Sequence, residues 1–305
     1  MRMGVLDVGS NTVHLLVVDA RLGGPPIPAA SHKSELRLAE HLTADGDLSD
    51  EGADKLIESV RSCRALAEDT GCAEVLAFVT SALREASNSD AVLARVLAET
   101  GQELEILSGG DEARMTFLAV RRWYGWSAGT LAVLDIGGGS LELSAGGEEA
   151  PEVALSVPVG AGRVHRTWSD EDGSLDVGKV RKDVRAQIGG VIGDVLRAGP
   201  FEKVVATSKT FRSLSRISGA APSSQGPYVP RSLKRGDVSA WVPKLATMKP
   251  AERAQLPGVS AGRAPQLLAG AIVAEAAMEL AGVDVVDVCP WALREGLLLD
   301  RLDRL

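Results

Sequence analysis

The sequence predicts an α/β protein built from two similar domains. Strand-like and helix-like segments alternate along the 305 residues, and that alternation is typical of α/β architecture. A chain of this length ordinarily forms about two domains. A short motif also occurs twice, because Val-Leu-Asp-Val-Gly-Ser-Asn-Thr-Val at 5–13 aligns without a gap with Val-Leu-Asp-Ile-Gly-Gly-Gly-Ser-Leu at 133–141, an offset of 128 residues. A repeat separated by about one domain length indicates a duplicated domain.

Each copy of the motif joins two short apolar segments, 3–6 with 13–19 and 131–134 with 141–144, which predicts a strand pair on either side of a tight turn. The hydrophobic pattern predicts further strands at 74–80, 103–107, 152–158, 203–207 and 283–288. It predicts helices at 49–69, 91–99, 111–123, 177–196, 209–217, 237–248, 264–280 and 291–302. Residues 219–230, rich in Pro, Ser and Gly, are expected to form a long mobile loop. We expect one domain over 1–126 and the other over 127–305.

Composition places the chain among ordinary globular proteins, with 45% hydrophobic and 24% charged residues. No apolar run approaches the length of about 18 residues that a membrane span needs. Asp7 interrupts the first apolar run, which disfavours a signal peptide and leads us to expect a cytoplasmic protein. The three cysteines lack metal-ligand spacing and are expected to be reduced thiols.

The formal net charge of −8 argues against general affinity for nucleic acid. One stretch departs from this balance, because residues 203–236 contain no acid. Its seven positive residues are Lys203, Lys209, Arg212, Arg216, Arg231, Lys234 and Arg235. Two interpretations stay open here: a solvated basic face, or a track that binds a polyanion.

Both copies of the motif place a carboxylate at the end of a strand, followed at once by a turn containing glycine. Such a carboxylate can hold Mg²⁺, and glycines let backbone N–H groups approach phosphate oxygens. A single turn of this kind is usually only a turn. Two matched copies favour a phosphate clamped by facing turns, with Asp7 and Asp135 as metal ligands. Ser208-Lys209-Thr210 resembles the end of a P-loop, but the glycines that motif requires are absent.

Five blocks, in order along nearly the whole chain, resemble the exopolyphosphatase/guanosine pentaphosphate phosphatase family. The blocks are Asp7-Val8-Gly9-Ser10-Asn11-Thr12, Thr80-Ser81-Ala82-Leu83-Arg84-Glu85-Ala86, Leu107-Ser108-Gly109-Gly110-Asp111-Glu112-Ala113-Arg114, Asp135-Ile136-Gly137-Gly138-Gly139-Ser140-Leu141-Glu142 and Leu293-Arg294-Glu295-Gly296-Leu297. The resemblance implies two actin-like domains with a cleft between them. It also implies hydrolysis of terminal phosphoanhydride bonds with Mg²⁺ or Mn²⁺.

The resemblance further implies that Glu112 positions and deprotonates the attacking water, and that Glu142 is a second catalytic carboxylate and a metal ligand. A glutamate in the first turn of a helix could instead only complement the helix dipole. Glu142 could likewise be a solvent-facing strand residue, and Arg84 could form a surface ion pair rather than clamp a phosphate. The expected phosphate-binding residues are Gly9, Ser10, Asn11, Thr12, Arg84, Gly137, Gly138, Gly139, Ser140, Lys209 and Arg212.

The sequence therefore predicts an exopolyphosphatase that releases orthophosphate from inorganic polyphosphate. Hydrolysis of guanosine pentaphosphate is the alternative within the same chemistry. An actin-like ATPase or phosphotransferase, or a nucleotide sensor without turnover, would use the same two turns. Where many relatives have a Gly-Gly-Thr turn this chain has Ser208-Lys209-Thr210, which favours a bare phosphate chain over a nucleotide. We expect no nucleic-acid or membrane partner, and a homodimer is one assembly left open.

Overall fold

The computed structural model describes residues 1–43, 45–170 and 173–305. The chain forms two compact units, one made of Met1–Met115 with Leu293–Leu305 and the other of Thr116–Ala292. Each unit contains one sheet with helices packed against it. Within the described ranges, no helix is long and apolar enough to cross a membrane.

The first unit contains a five-stranded sheet in the order β3-β2-β1-β4-β5. The strands are β1 (Arg2–Val8), β2 (Thr12–Asp19), β3 (Ile27–Glu35), β4 (Glu74–Val79) and β5 (Glu105–Ile106). The helices are α1 (Asp50–Asp69), α2 (Ser81–Arg84), α3 (Ser89–Thr100) and α4 (Gly109–Tyr124), with a 3-10 turn at Leu38–Glu40. Helix α4 begins in this unit and ends in the other.

The second unit contains a six-stranded sheet in the order β10-β11-β9-β6-β7-β8. Its strands are β6 (Leu131–Ile136), β7 (Leu141–Gly146), β8 (Val153–Val157), β9 (Lys203–Thr207), β10 (Ser232–Lys234) and β11 (Val285–Val288). Its helices are α5 (Ala161–Trp168), α6 (Val177–Gly189), α7 (Ile192–Arg197), α8 (Ser208–Ile217), α9 (Arg235–Thr247), α10 (Pro250–Arg253) and α11 (Leu267–Leu280). Helix α11 is apolar on nearly all sides and lies buried against α5, α6, α8 and α9.

The C-terminal helix α12 (Leu293–Asp303) packs against β1 in the first unit. Successive side chains of a strand point to opposite faces, so β1 contributes to two apolar clusters. Leu6 and Val8 pack on the face that α1 covers, and Met3 and Val5 pack on the face that α12 covers. Because both faces are covered, apolar side chains occupy four of the seven positions of β1 and lie on both of its faces.

The predicted duplication is confirmed, since β3-β2-β1-β4-β5 and β8-β7-β6-β9-β11 have the same order and the same strand directions. The expected division at 126/127 differs from the observed units in two respects. Helix α4 continues without a break across Met115 and Thr116, and α12 returns to the first unit.

Most predicted strands and helices are present within a few residues, but the single helix predicted at 177–196 is wrong. The structure divides it into α6 and α7 at Gly189 and Gly190, because glycine weakens a helix interior. The expected mobile loop at 219–230 contains a 3-10 turn at Ser223–Gln225. Its backbone is also held by Arg231, which donates hydrogen bonds at 2.7–3.0 Å to carbonyl oxygens of residues 221, 222, 226 and 229.

Candidate active site

The two copies of the motif form hairpins with the same geometry. In the first, the Gly9 N–H donates to the Thr12 carbonyl at 3.0 Å, and in the second the Gly137 N–H donates to the Ser140 carbonyl at 2.9 Å. The cross-strand partners also correspond. Asp7 lies opposite His14, and Asp135 lies opposite Glu142.

The turn of the second hairpin directs its N–H groups to one side. The carbonyl oxygens of residues 137–139 accept hydrogen bonds at 2.9–3.1 Å from the N–H groups of residues 160, 161 and 163, where α5 begins. In a trans peptide the C=O and the N–H of the next residue point in opposite directions. The N–H groups of Gly138, Gly139 and Ser140 therefore point away from α5, and converging backbone donors of this kind bind phosphate.

A glycine at the start of α5 makes this turn geometry accessible. A Cβ atom on Gly160 would lie 2.4 Å from the Ser140 nitrogen and 2.4 Å from the Gly139 carbonyl carbon. Any side chain at position 160 would therefore push α5 away from the turn. Gly160 therefore helps to shape the turn, although it lies outside the 135–142 motif.

Two carboxylates lie opposite each other beside this turn. Glu142 on β7 is the cross-strand partner of Asp135 on β6, it is only 5% exposed, and the Ser156 hydroxyl donates to its Oε1 at 2.9 Å. Like charges directly opposite on neighbouring strands destabilise a sheet, and burial increases that cost. A divalent cation would offset it, and Mg²⁺ in proteins is commonly held by one or two carboxylates together with substrate phosphates. Asp135 and Glu142 therefore fit a divalent metal.

The metal would need ligands beyond these two side chains. In the part of the chain that the structure describes, no group of three or more His, Cys, Asp or Glu residues could hold a metal ion. Substrate phosphate oxygens and water would complete the coordination, as is usual for Mg²⁺ in phosphoryl chemistry. The pair consequently suits a metal that acts together with a bound phosphate.

The start of α8 adjoins the second hairpin. Thr207 at the end of β9 is the register partner of Asp135, and the Thr210 hydroxyl donates to the Ile136 carbonyl at 3.0 Å. Lys209 and Arg212 are thereby placed at the same edge of the sheet as the turn. Ser208 has φ of 91°, a backbone conformation that favours glycine and costs a serine free energy.

In the first unit, α2 is held beside the N-terminal turn. The hydroxyls of Ser10 and Ser81 hydrogen bond at 2.9 Å, and the Thr80 N–H donates to the Val8 carbonyl at 3.1 Å. Arg84 ends the helix and donates to the Leu107 carbonyl at 2.7 Å. The turn and Arg84 therefore occupy the same edge of the first sheet.

Arg84 also forms an ion pair with Glu112, whose side chain is only 10% exposed. Arg84 therefore does form an ion pair, as the alternative expected, but a largely buried one, since its side chain is 21% exposed. Phosphate binding by Arg84 stays a prediction. The guanidinium fixes the position of the Glu112 carboxylate, and charge-assisted pairs of this kind constrain geometry strongly. Arg84 and Glu112, which the sequence assigned to phosphate binding and catalysis, are thus in direct contact.

The N-terminus of α4 is capped by Ser108. The Asp111 N–H donates to the Ser108 hydroxyl at 3.1 Å, and that hydroxyl donates to Asp111 Oδ2 at 2.5 Å. The latter bond, with help from Arg114, lowers the pKa of Asp111 below its ordinary value. The Glu112 N–H donates to the Ser108 carbonyl at 2.9 Å, which places Glu112 in the first helical turn, where the dipole is positive.

Arg294 is a site residue that the sequence did not assign. It lies in the first turn of α12, where its guanidinium is 3.8 Å from Asp7 Oδ2 and hydrogen bonds to His14 Nδ1. The block containing Arg294 was visible in the sequence, but the return of α12 to β1 was not. His14 could have been found, since it is offset by 128 residues from Glu142.

The basic stretch is largely occupied with holding the fold. Lys203 pairs with Asp287, and Arg235 pairs with Asp284 at 2.7 Å. Arg216 donates to the Ala220 carbonyl at 2.9 Å, and Arg231 holds the 219–230 loop. Two of the seven charges are therefore paired with acids, and the donors of Arg216 and Arg231 are used within the fold. This disfavours a continuous polyanion track.

The predicted site residues fall into one group in each unit. The first unit brings together Asp7, Gly9, Ser10, Asn11, Thr12, Arg84 and Glu112. The second brings together Asp135, Gly137, Gly138, Gly139, Ser140, Glu142, Lys209 and Arg212. Each group lies where strands of its sheet end, the position at which α/β sheets ordinarily bind ligands.

The chain is similar to known proteins over nearly its whole length. Residues 16–305 match the Ppx/GppA phosphatase family. The chain is 54% identical to Exopolyphosphatase 1 of Mycobacterium tuberculosis, covering 99% of this chain and 89% of that protein. It is 53% identical to Exopolyphosphatase 1 of Mycobacterium leprae, covering 99% and 90%.

Solved structures show the same fold. A crystal structure of an exopolyphosphatase from Cytophaga hutchinsonii superposes with a TM-score of 0.87, covering 100% of this chain and 99% of that one at 23% identity. The predicted pair of actin-like α/β domains is thereby confirmed. The ordered motifs, the duplicated hairpins and these matches together show that the chain belongs to the Ppx/GppA phosphatase family.

Proposed function

We propose that this protein is an exopolyphosphatase, which hydrolyses the terminal phosphoanhydride bond of inorganic polyphosphate and releases orthophosphate. The observation that carries the proposal is the second hairpin, where backbone donors of the turn adjoin the paired carboxylates Asp135 and Glu142. Donors and metal-binding acids side by side suit a phosphate-metal complex. The names of the mycobacterial relatives support polyphosphate as the substrate.

The chain's residues take complementary roles in this proposal. Gly137, Gly138, Gly139 and Ser140 bind phosphate oxygens, and Lys209 and Arg212 add positive charge next to them. Asp135 and Glu142 would hold Mg²⁺ or Mn²⁺. When bound, the metal neutralises charge on the phosphate oxygens and so lowers the barrier to attack.

Glu112 acts as the general base. It accepts a proton from water as the water oxygen forms a bond to the terminal phosphorus, and the bridging oxygen departs with the shortened chain. The ion pair with Arg84 supports this role, because it fixes the carboxylate within the first turn of α4. Arg84 has further guanidinium donors that could bind the phosphate under attack.

The N-terminal turn would bind phosphate through Gly9, Ser10, Asn11 and Thr12. Its hydroxyl contact between Ser10 and Ser81 supports a turn of fixed shape. The role of Asp7 as a metal ligand stays a prediction. The guanidinium of Arg294, 3.8 Å from Asp7 Oδ2, would compete with a metal for this carboxylate. The cytoplasmic location, the homodimer and the absence of nucleic-acid and membrane partners also stay predictions.

Substrate choice can be tested directly. Orthophosphate release should be measured in parallel from linear polyphosphate, guanosine pentaphosphate and ATP, each with Mg²⁺ and with Mn²⁺. We expect polyphosphate to give the highest kcat/KM, because Lys209 places a fixed charge where a nucleotide-binding turn would need flexible backbone. A higher kcat/KM for guanosine pentaphosphate would favour the alternative within the family, and turnover of ATP alone would contradict the proposal.

A further inference from the structure

The two hairpins differ at one pair of equivalent positions. Each places an aspartate at the end of its first strand, Asp7 and Asp135. The residue opposite that aspartate is a histidine in the first hairpin and a glutamate in the second, and His14 and Glu142 are separated by the same 128 residues as the aspartates. The first hairpin therefore has one carboxylate where the second has two.

A guanidinium accompanies the single carboxylate. Arg294 lies 3.8 Å from Asp7 Oδ2 and hydrogen bonds to His14 Nδ1. Arginine can only donate hydrogen bonds, so His14 is the acceptor in this contact. The positive charge of Arg294 thus balances the negative charge of Asp7.

The position of Arg294 is fixed by the packing of α12. A Cβ atom on Gly296 would lie 1.8 Å from the Met115 carbonyl oxygen, so only glycine allows the two helices to approach this closely. Leu298 and Leu302 of the same helix pack with Met3 of β1 in one buried cluster. Gly296 and Leu298 hold the start of α12 in place. The position of Arg294 is therefore set by helix packing and not by a flexible loop.

We propose that Arg294 is the resident cation of the first hairpin, so that Asp7 positions a guanidinium and the divalent metal binds at Asp135 and Glu142 alone. A guanidinium and a divalent cation at one carboxylate repel each other strongly at short range. The two hairpins therefore differ in their source of positive charge. Arg294 supplies it in the first hairpin, and the divalent metal would supply it in the second. The metal half of this inference rests on the proposed function.

Mn²⁺ binding to the full-length protein, followed by electron paramagnetic resonance without substrate, separates the two aspartates. The matched variants are Asp7→Asn and Asp135→Asn, which remove the same charge from equivalent positions. We expect the parent protein to bind one Mn²⁺ per chain. The Kd should be larger by about tenfold or more in Asp135→Asn and unchanged in Asp7→Asn. A second Mn²⁺ in the parent protein, or a comparable loss of affinity in Asp7→Asn, would overturn the inference.

Thermal unfolding tests the role of Arg294 without any metal. In the parent protein Asp7→Asn should lower Tm, because it removes the partner of Arg294. In an Arg294→Met background the same change should raise Tm, because it removes a carboxylate left without its cation. The same sign in both backgrounds would overturn the role of Arg294, whereas failure of the parent to bind Mn²⁺ would overturn the proposed metal site.

Discussion

At the scale of single residues, Glu112 carries the proposed chemistry. Replacing it by Gln keeps the size of the side chain but removes the proton acceptor, so kcat should fall by about 100-fold or more with little change in KM. Steady-state orthophosphate release from polyphosphate measures both. Glu74→Gln is a matched control, because Glu74 is also paired with an arginine, Arg301 at 2.9 Å. Near-parental kcat in Glu112→Gln would remove Glu112 from the mechanism.

Ser208 provides a second test at this scale, of backbone strain. Its φ of 91° costs a non-glycine residue on the order of 1 kcal/mol or more. The Ser208 hydroxyl accepts a weak hydrogen bond from the Phe211 N–H at 3.4 Å, and both Ser208→Gly and Ser208→Ala lose it. We expect Ser208→Gly to be more stable than Ser208→Ala by about 1 kcal/mol in denaturant unfolding. Equal free energies of unfolding would show that the strain is absent.

The residues that the sequence predicted correctly as neighbours are those that the motif itself carries. Asp135 and Glu142 could be paired because the turn between them fixes the register of a short hairpin. Arg294 could not be paired with Asp7, since the two lie 287 positions apart in the sequence and only the tertiary packing of α12 brings them together. Gly160 was missed for the same reason, because its constraint comes from the approach of α5 to the turn.

At the scale of elements, Arg231 determines the conformation of the 219–230 loop. Its guanidinium donates to four carbonyl oxygens of residues 221, 222, 226 and 229. Arg231→Gln should therefore accelerate amide hydrogen exchange across the loop by opening it locally. Lys234→Gln removes the same charge from an exposed position nearby and should leave the exchange unchanged. Equal amide exchange rates in both variants would contradict the role of Arg231 in holding the loop.

Elements with a clear hydrophobic period were predictable, and those without one were not. Helix α1 was found because Leu56, Ile57 and Val60 repeat at helical spacing and lie buried. Strand β3 was missed because its side chains are largely exposed and it contains Pro28, which is typical of an edge strand. The break between α6 and α7 could not be predicted from periodicity, because the apolar spacing continues through Gly189 and Gly190. Whether two glycines end a helix depends on how the surrounding residues pack.

At the scale of the whole molecule, the net charge of −8 opposes the approach of a polyanion, so positive charge must be concentrated where the substrate binds. Lys209 and Arg212 lie in the first turns of α8, which contacts the second hairpin through the Thr210 hydroxyl. Replacing both by Ala should raise KM by about 100-fold or more, because each charged contact contributes about 1.5 kcal/mol or more. The increase should be similar for tripolyphosphate and for long chains, since the residues adjoin the proposed binding turn. A larger effect on long chains would restore the polyanion track.

The proposed reaction removes the terminal phosphate of a chain. Linear tripolyphosphate and cyclic trimetaphosphate contain the same phosphoanhydride bonds, but only the linear compound has a terminal phosphate. The most direct test is therefore orthophosphate release from each compound by the parent protein with Mg²⁺. We predict release from linear tripolyphosphate and none from the cyclic compound, and hydrolysis of the cyclic compound at a comparable rate would contradict terminal phosphate removal.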